Sequence, residues 1–132
     1  MGLTRSELRE KIMIILYQID ILKKNNIAFD IDKVIKDNVE IDNEFVKDVV
    51  YGVTTHENDI VAKANEFLID WDLSRIDKTG SSILKMAIYE MDYTDTPKVV
   101  IINEAVELAK KYSDENVRKI INGVLDRMAN NE

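Results

Sequence analysis

The scarcity of turn-forming residues is the feature that most limits what this chain can fold into. Its 132 residues include only one Pro and four Gly. A sheet protein places these residue types at the tight turns between its strands, so their scarcity favours helices. The apolar residues agree, because they recur every three or four positions along most of the chain. We therefore predict an all-α fold.

About seven helices are predicted, and most of them begin at a residue that can cap a helix. The first begins after Thr4, because Glu7 three positions later completes a capping box. A short turn capped by Ser74 precedes a helix whose apolar stripe begins at Ile83. The starts of the other five helices are predicted at Asp30 or Asp32, at Asp42, at the Thr54–Glu57 capping box, at Thr96–Pro97 and at Ser113.

The first helix carries apolar residues on two opposite sides. Leu8, Ile12 and Leu16 belong to one stripe, whereas Met13 and Tyr17 fall on the other side. A helix of this kind must be covered on both sides, so we predict that it lies near the centre of the fold. The short connections between helices fit either one antiparallel bundle or two small bundles packed together.

The composition narrows the class of protein further. The chain has the length of one domain, which we assign to residues 1–132, and 45% of its residues are apolar, enough for a buried core. It has no cysteine, no run of about 18 apolar residues, and charged residues where a secretory signal would need apolar ones. We expect a soluble, cytoplasmic protein.

Residues that could perform catalysis or bind a metal are few. His56 is the only histidine and cysteine is absent, which leaves no partner for a nucleophile or a metal cluster. Glu104 and Glu107 share a helix face, but the Glu-x-x-His units that accompany such pairs at di-metal sites are missing. We therefore expect no enzyme activity and no cofactor or metal.

Gly123 lies inside the apolar pattern of the last predicted helix. A glycine in a helix interior costs about 1 kcal/mol relative to alanine, so a structural reason for it is expected. We predict that another helix approaches closely at this position.

Charge is distributed unevenly along the chain, whose net charge is −7. Residues 25–97 contain 16 acidic and seven basic residues, whereas residues 1–24 contain three acidic and five basic ones. Residues 98–127 are also slightly basic. The pattern fits an ordinary solvated helix surface, and it also fits a small anion-binding patch where the first and last helices meet.

Five segments resemble the NusB transcription antitermination family. The longest is Pro97–Tyr112, and Lys119–Asp126 follows it in the last predicted helix. Ile83–Glu90, Leu16–Gln18 and Arg9–Glu10 also match the order of residues in that family. The resemblance extends over the whole chain and is strongest over its last third.

The resemblance implies two packed three-helix bundles with the first helix at the centre. It also implies an RNA-binding factor that joins NusE, a small-subunit ribosomal protein, on the boxA element of nascent ribosomal RNA leaders. With NusA, NusG and RNA polymerase, such a complex suppresses premature termination. The resemblance implies no catalysis, no cofactor, no binding to DNA and no membrane.

Two sets of residues are expected to carry these interactions. Cations at the start of the first helix and polar residues of the last helix would contact RNA phosphates and bases. The acidic middle of the chain would hold a basic protein. The RNA-binding set is Arg5, Arg9, Lys11, Arg118, Lys119 and Asn122, and the NusE-binding set is Tyr89, Glu90 and Val99.

Two positions depart from the family pattern and define an alternative. Glu7 stands in a stretch that relatives fill with Arg or Lys, and Ile120 stands where an aromatic residue is common. A chain with these residues could instead be a helical adaptor that binds NusE without recognising RNA directly. The sequence also leaves open whether the protein forms a homodimer.

Overall fold

Seven α-helices make up most of the protein, whose computed structural model describes residues 2–131. No strand occurs in that part of the chain. A short 3-10 helix at Leu73–Arg75 precedes the fifth α-helix. The helices are α1 (Arg5–Lys24), α2 (Ile31–Asn38), α3 (Glu44–Thr55), α4 (Glu57–Phe67), α5 (Lys78–Tyr93), α6 (Lys98–Tyr112) and α7 (Glu115–Asn130). The predicted all-α class with seven helices is confirmed.

The helices form two groups of three that pack against each other. In the first group α1, α2 and α3 contact one another, and in the second group α5, α6 and α7 do the same. Helix α4 bridges the groups, because it contacts α3 on one side and α5 and α7 on the other. Helices α1 and α3 both pack directly on α5. This is the arrangement of two three-helix bundles that the resemblance implied, with α1 at the junction.

Helix α5 is the most completely enclosed element of the described structure. It contacts α1, α3, α4, α6 and α7, and every residue from Ser82 to Glu90 is buried. The apolar stripe that begins at Ile83 accounts for only one buried face of α5. The polar members Lys85 and Glu90 are buried as well, because five helices surround α5 and leave no solvent face at its centre.

A buried lysine on α5 is neutralised by carboxylates from two other helices. The Nζ atom of Lys85 lies 2.8 Å from Oδ2 of Asp20 on α1 and 3.1 Å from Oε1 of Glu57 at the start of α4. Burial alone would raise the pKa of Glu57, but the hydrogen bonds from Lys23 and Lys85 outweigh it and lower that pKa. The cluster ties together three helices at one end of the fold.

The predicted cap of α1 is present. The backbone N–H of Glu7 donates to Oγ1 of Thr4 at 3.1 Å, and the backbone N–H of Thr4 donates to Oε1 of Glu7 at 2.8 Å. These hydrogen bonds lower the pKa of Glu7. The departure of Glu7 from the family pattern therefore has a structural role, because the side chain completes the capping box.

Two predicted caps are wrong by one residue. Asn43, not Asp42, caps α3, and Asp114, not Ser113, caps α7. An N-cap oxygen must reach an N–H two or three residues further on. Oδ1 of Asn43 accepts from Val46 N at 3.0 Å, and Oδ1 of Asp114 accepts from Val117 N at 2.8 Å.

Three further starts are resolved or corrected. Asp30, one of the two candidates, caps α2, and the 3-10 turn is capped by Asp72 rather than by Ser74. The Thr54–Glu57 capping box is wrong, because α3 continues to Thr55 and His56 makes no capping hydrogen bond with its side chain. The carboxylate of Glu57 is used by the ion pairs with Lys23 and Lys85 instead.

Gly52 allows the closest approach between α3 and α5. A Cβ atom at this position would overlap the ring of Tyr89. The expectation for Gly123 is wrong, since the atoms nearest to the position of its missing Cβ belong to Arg127 on the same helix, with Nη1 at 3.1 Å. Arg127 donates to the carbonyl oxygen of Phe67 and so links α7 to α4 at this point.

The two glycines should respond differently to alanine. Gly52→Ala forces a Cβ into the Tyr89 ring, and we expect it to lower the free energy of unfolding by about 1–3 kcal/mol. Gly123→Ala meets only the end of a flexible side chain and removes the helical cost of glycine, so we expect a change within about 1 kcal/mol. Urea denaturation of both variants checks this, and equal effects would contradict the packing described for Gly52.

Candidate nucleic-acid interface

Arg9 is the centre of a buried ion-pair network at the start of α1. Its Nε and Nη2 atoms donate to the two carboxylate oxygens of Glu90 at 2.9 and 2.8 Å. Its Nη1 atom donates to Oε1 of Glu104 on α6 at 2.9 Å, and the same oxygen accepts from Oγ of Ser6 at 2.6 Å. Hydrogen bonding to Glu90 raises the pKa of Arg9 above its usual value. The network joins α1, α5 and α6.

Burial corrects three of the residue assignments made from the sequence. Arg9 is 4% exposed and Glu90 is 1% exposed, so their charges satisfy each other and are not presented to RNA or to a partner. Tyr89 is also buried, and its hydroxyl donates to Oδ1 of Asp48 at 3.2 Å. Burial is the main cause that raises the pKa of Tyr89, and the negative charge of Asp48 raises this pKa further. These three side chains are buried and form contacts between helices.

The other predicted cations of α1 lie on its outside. Arg5 is exposed, and its Cζ atom lies 4.0 Å from the centre of the Phe45 ring on α3. Lys11 is partly exposed and lines a groove of about 490 Å³ between the start of α1 and the α2–α3 connection. Both cations can therefore reach an anion in solvent.

The predicted residues of α7 lie on its first two turns. Nη2 of Arg118 is 3.3 Å from Oε1 of Glu115, and Nζ of the exposed Lys119 is 3.9 Å from the same oxygen. Asn122 is partly exposed. Among the described residues, no hydrogen bond or ion pair joins these three side chains to Arg5 or Lys11.

A groove lined by two tyrosines lies between α1 and the end of α6. Its volume is about 270 Å³. Its walls are Met13, Ile14, Tyr17, Gln18, Thr79 and Tyr112. Tyr17 and Tyr112 are 37% and 40% exposed. Exposed aromatic rings beside an apolar groove offer faces on which unpaired bases can stack.

Two lysines precede Tyr112 in the last turn of α6. The hydroxyl of Tyr112 donates to the carboxylate of Glu10, and Nζ of Lys111 lies 2.9 Å from Oε2 of the same carboxylate. Lys110 on the last turn of α6 is exposed, and α7 begins only a few residues later. No sequence signal marks Tyr17 and Tyr112 as site residues, because they come from different helices and only their shared groove identifies them. Lys111 is identified by its contact with Glu10 of α1.

A second exposed surface contains the one predicted partner residue that reaches solvent. Val99 is 65% exposed on the first turn of α6, next to the exposed Val100. Nearby in sequence, Tyr93 at the end of α5 stacks on His56 with ring centres 4.3 Å apart, and on the buried Tyr89 at 5.2 Å. This places an exposed aromatic ring and two exposed valines around the α5–α6 connection.

Comparison with known proteins decides the family. The sequence pattern of the NusB family matches residues 6–130. The chain is 38% identical over 128 residues to the transcription antitermination protein NusB of Staphylococcus aureus strain JH9, which covers 96% of this chain and 98% of that protein. The NusB proteins of strains Newman and N315 show the same identity and coverage.

The chain belongs to the NusB family.

Solved structures agree with this assignment. Thermotoga maritima NusB superimposes with a TM-score of 0.83 and 27% identity, over 98% of this chain and 92% of the other. A structure of NusB and NusE in complex with dsRNA superimposes with a TM-score of 0.82 and 23% identity, over 97% of each chain, which shows the same fold. The resemblance seen in the five sequence segments is therefore confirmed, and the fold of this NusB-family chain is that of its relatives.

The described part of this NusB-family chain has neither a metal-binding cluster nor a membrane-spanning helix. In residues 2–131, no group of three or more Asp, Glu or His side chains is arranged to hold a metal ion. None of the helices in the same range combines the length and hydropathy that a bilayer-spanning segment requires.

Removal of the Arg9 guanidinium should show how much the NusB-family fold depends on this network. Arg9→Met leaves Glu90 charged and buried without its partner, and we expect the free energy of unfolding to fall by about 3–5 kcal/mol. The double variant Arg9→Met/Glu90→Met replaces the pair by apolar side chains and should recover most of the loss. Chemical denaturation measures both, and a loss below about 1 kcal/mol for the single variant would contradict the buried network.

Proposed function

We propose that this chain is a transcription antitermination factor that binds the boxA element of ribosomal RNA leaders together with NusE. The observation that carries the proposal is the match to NusB proteins along nearly the whole chain, together with a groove lined by two exposed tyrosines. The factor acts within an elongation complex of RNA polymerase with NusA and NusG, in the cytoplasm. Its role is regulatory and requires no catalysis or cofactor of its own.

The proposed RNA surface runs along α1 and continues onto α6 and α7. Arg5 supplies a cation at the start of α1, and Tyr17 lies 12 residues further, about 18 Å along the helix axis. Lys111 pairs with Glu10 between these two positions, and Tyr112 lines the same groove as Tyr17. Single-stranded RNA suits this surface, because its phosphates can follow the cations while its unpaired bases stack on the tyrosines.

Arg118, Lys119 and Asn122 extend the proposed RNA surface along α7. Ile120 between them is partly buried and packs against the core. It cannot offer the stacking face that relatives commonly have at this position, so we assign base stacking to Tyr17 and Tyr112. Lys11 adds a further cation on the other side of α1.

For NusE we propose the surface around the α5–α6 connection. Val99 and Val100 supply apolar contact area, and Tyr93 supplies an aromatic ring next to them in sequence. Asp95 is exposed in the same segment, which suits a basic partner, whereas the carboxylate of Asp92 pairs with Lys63. Aromatic side chains at such a position commonly contribute much of the binding energy of a protein interface.

An RNA-binding experiment distinguishes the proposed function from two alternatives, a helical adaptor and a homodimer. A helical adaptor would bind NusE and would show no preference among RNA sequences. A homodimer that covers the tyrosine groove would bind RNA only after dissociation, so its apparent RNA affinity would fall as the protein concentration rises.

The decisive experiment titrates boxA RNA and a scrambled RNA of equal length by fluorescence anisotropy, with and without NusE. We expect weak binding to boxA by the protein alone and much tighter, sequence-selective binding with NusE. With about three to five phosphate contacts, the slope of log affinity against log salt should lie near −2 to −3.5. Equal binding of boxA and scrambled RNA in the presence of NusE would contradict the proposed function and favour the adaptor.

The tyrosine groove can be tested separately. Tyr17→Ala removes a stacking face, and we expect boxA affinity to fall by about 1–3 kcal/mol, roughly 5- to 150-fold. Tyr51→Ala is the matched control, since Tyr51 on α3 is 38% exposed and lies outside the proposed surface. Anisotropy titrations of both variants with NusE present measure the difference. Equal losses for both would show that the groove is not where bases stack.

A further inference from the structure

Phe45 lies against both arginines of the first turns of α1. It belongs to the first turn of α3, is partly buried and packs against the core. The Cζ atom of Arg5 is 4.0 Å from the centre of its ring, and the Cζ atom of Arg9 is 5.3 Å from the same centre. These distances are within the range of cation–π contacts.

We propose that Phe45 is a positioning residue for RNA binding, which holds the guanidinium of Arg5 ready for a phosphate. The inference rests on the proposed function, because it assumes that Arg5 contacts RNA. Phe45 itself touches no RNA in this proposal and acts only through Arg5.

The geometry suits a phosphate contact because stacking and phosphate binding use different parts of the guanidinium. The Phe45 ring can cover a face of the planar group, whereas a phosphate binds in the plane through the N–H edges. Among residues 2–131, no carboxylate forms an ion pair with Arg5. Its N–H edges are therefore available to an anion from solution.

Phe45 can fix the position of the Arg5 guanidinium because the position of its own ring is fixed. Its ring packs on the core, and on the side of α1 it meets Arg9, which Glu90 and Glu104 fix in place. An exposed arginine normally loses much rotamer freedom when it binds an anion. A guanidinium already ordered on a fixed ring loses less, so the same phosphate contact gives a higher affinity.

The test combines Phe45→Leu, Arg5→Gln and the double variant in boxA RNA titrations over a series of salt concentrations without NusE. In the wild-type background, we expect Phe45→Leu to weaken RNA binding about two- to fivefold, the equivalent of roughly 0.5–1 kcal/mol for an exposed cation–π pair. In the Arg5→Gln background, Phe45→Leu should have no further effect on RNA affinity, because Phe45 influences RNA binding only through Arg5.

The salt dependence separates positioning from contact. Arg5→Gln removes a phosphate contact and should make the log–log slope less steep by about 0.7. Phe45→Leu should leave the slope unchanged, since Arg5 still reaches the phosphate. Phe45→Tyr keeps an aromatic face and should retain wild-type affinity.

The matched control is a second cation–π pair, which lies far from Phe45 in the sequence. Trp71→Leu removes the contact between the Trp71 ring and Arg75, whose Cζ lies 5.6 Å from the ring, and should leave RNA affinity unchanged. Circular dichroism at the titration temperature establishes that Phe45→Leu is folded. If that variant is unfolded, the comparison of Phe45→Tyr with Phe45→Met replaces it, with the same expected two- to fivefold difference.

Three results would overturn the inference. Phe45→Leu could leave RNA affinity unchanged, or it could weaken binding equally with and without Arg5. Arg5→Gln could have no effect, in which case Arg5 is not an RNA contact. The proposed function is judged separately in the same titrations, by the wild-type preference for boxA over scrambled RNA once NusE is added.

Discussion

The bidentate ion pair between Arg9 and Glu90 is the contact on which both the fold and its proposed RNA surface depend. It lies where the first bundle meets the second, and both side chains are almost completely buried. Either charge would be costly to bury alone, so α1 can dock on α5 only where the two side chains meet. Glu104 extends the pair to α6 and thereby fixes the position of α1, the helix that carries Arg5 and Tyr17.

A second ionic contact acts at the other end of the same two helices. Asp20 of α1 pairs with Lys85 of α5, whereas Arg9 pairs with Glu90, so the numbering increases along α1 as it decreases along α5. The two helices are therefore antiparallel, and their register is fixed at two points. A shift by one helical turn would preserve much apolar contact but would leave four buried or half-buried charges without partners. Charge supplies the specificity that the apolar stripes lack.

Much of the fold follows from local sequence signals, whereas the site does not. The period of the apolar residues predicts the helices, and the Thr4–Glu7 box predicts the start of α1. The sequence does not distinguish the caps Asn43 and Asp114 from their neighbours Asp42 and Ser113, because each neighbour can also cap a helix and only the backbone geometry selects one of them. Arg9 looks like an RNA-binding residue in the sequence because nothing near it in the chain reveals Glu90 as its partner. Tyr17 and Tyr112 share a groove only after α1 and α6 have packed.

The wide sequence separation within the Arg9 network has a consequence for the order in which the chain acquires its structure during synthesis. Arg9 pairs with residues 81 and 95 positions further along the chain. While the chain emerges from the ribosome, α1 appears before the carboxylates of Glu90 and Glu104 that pair with Arg9 and before the later helices that cover its apolar sides. Packing of α1 must wait until α5 and α6 have been made. Helix α1 is thus made well before it can reach its native environment.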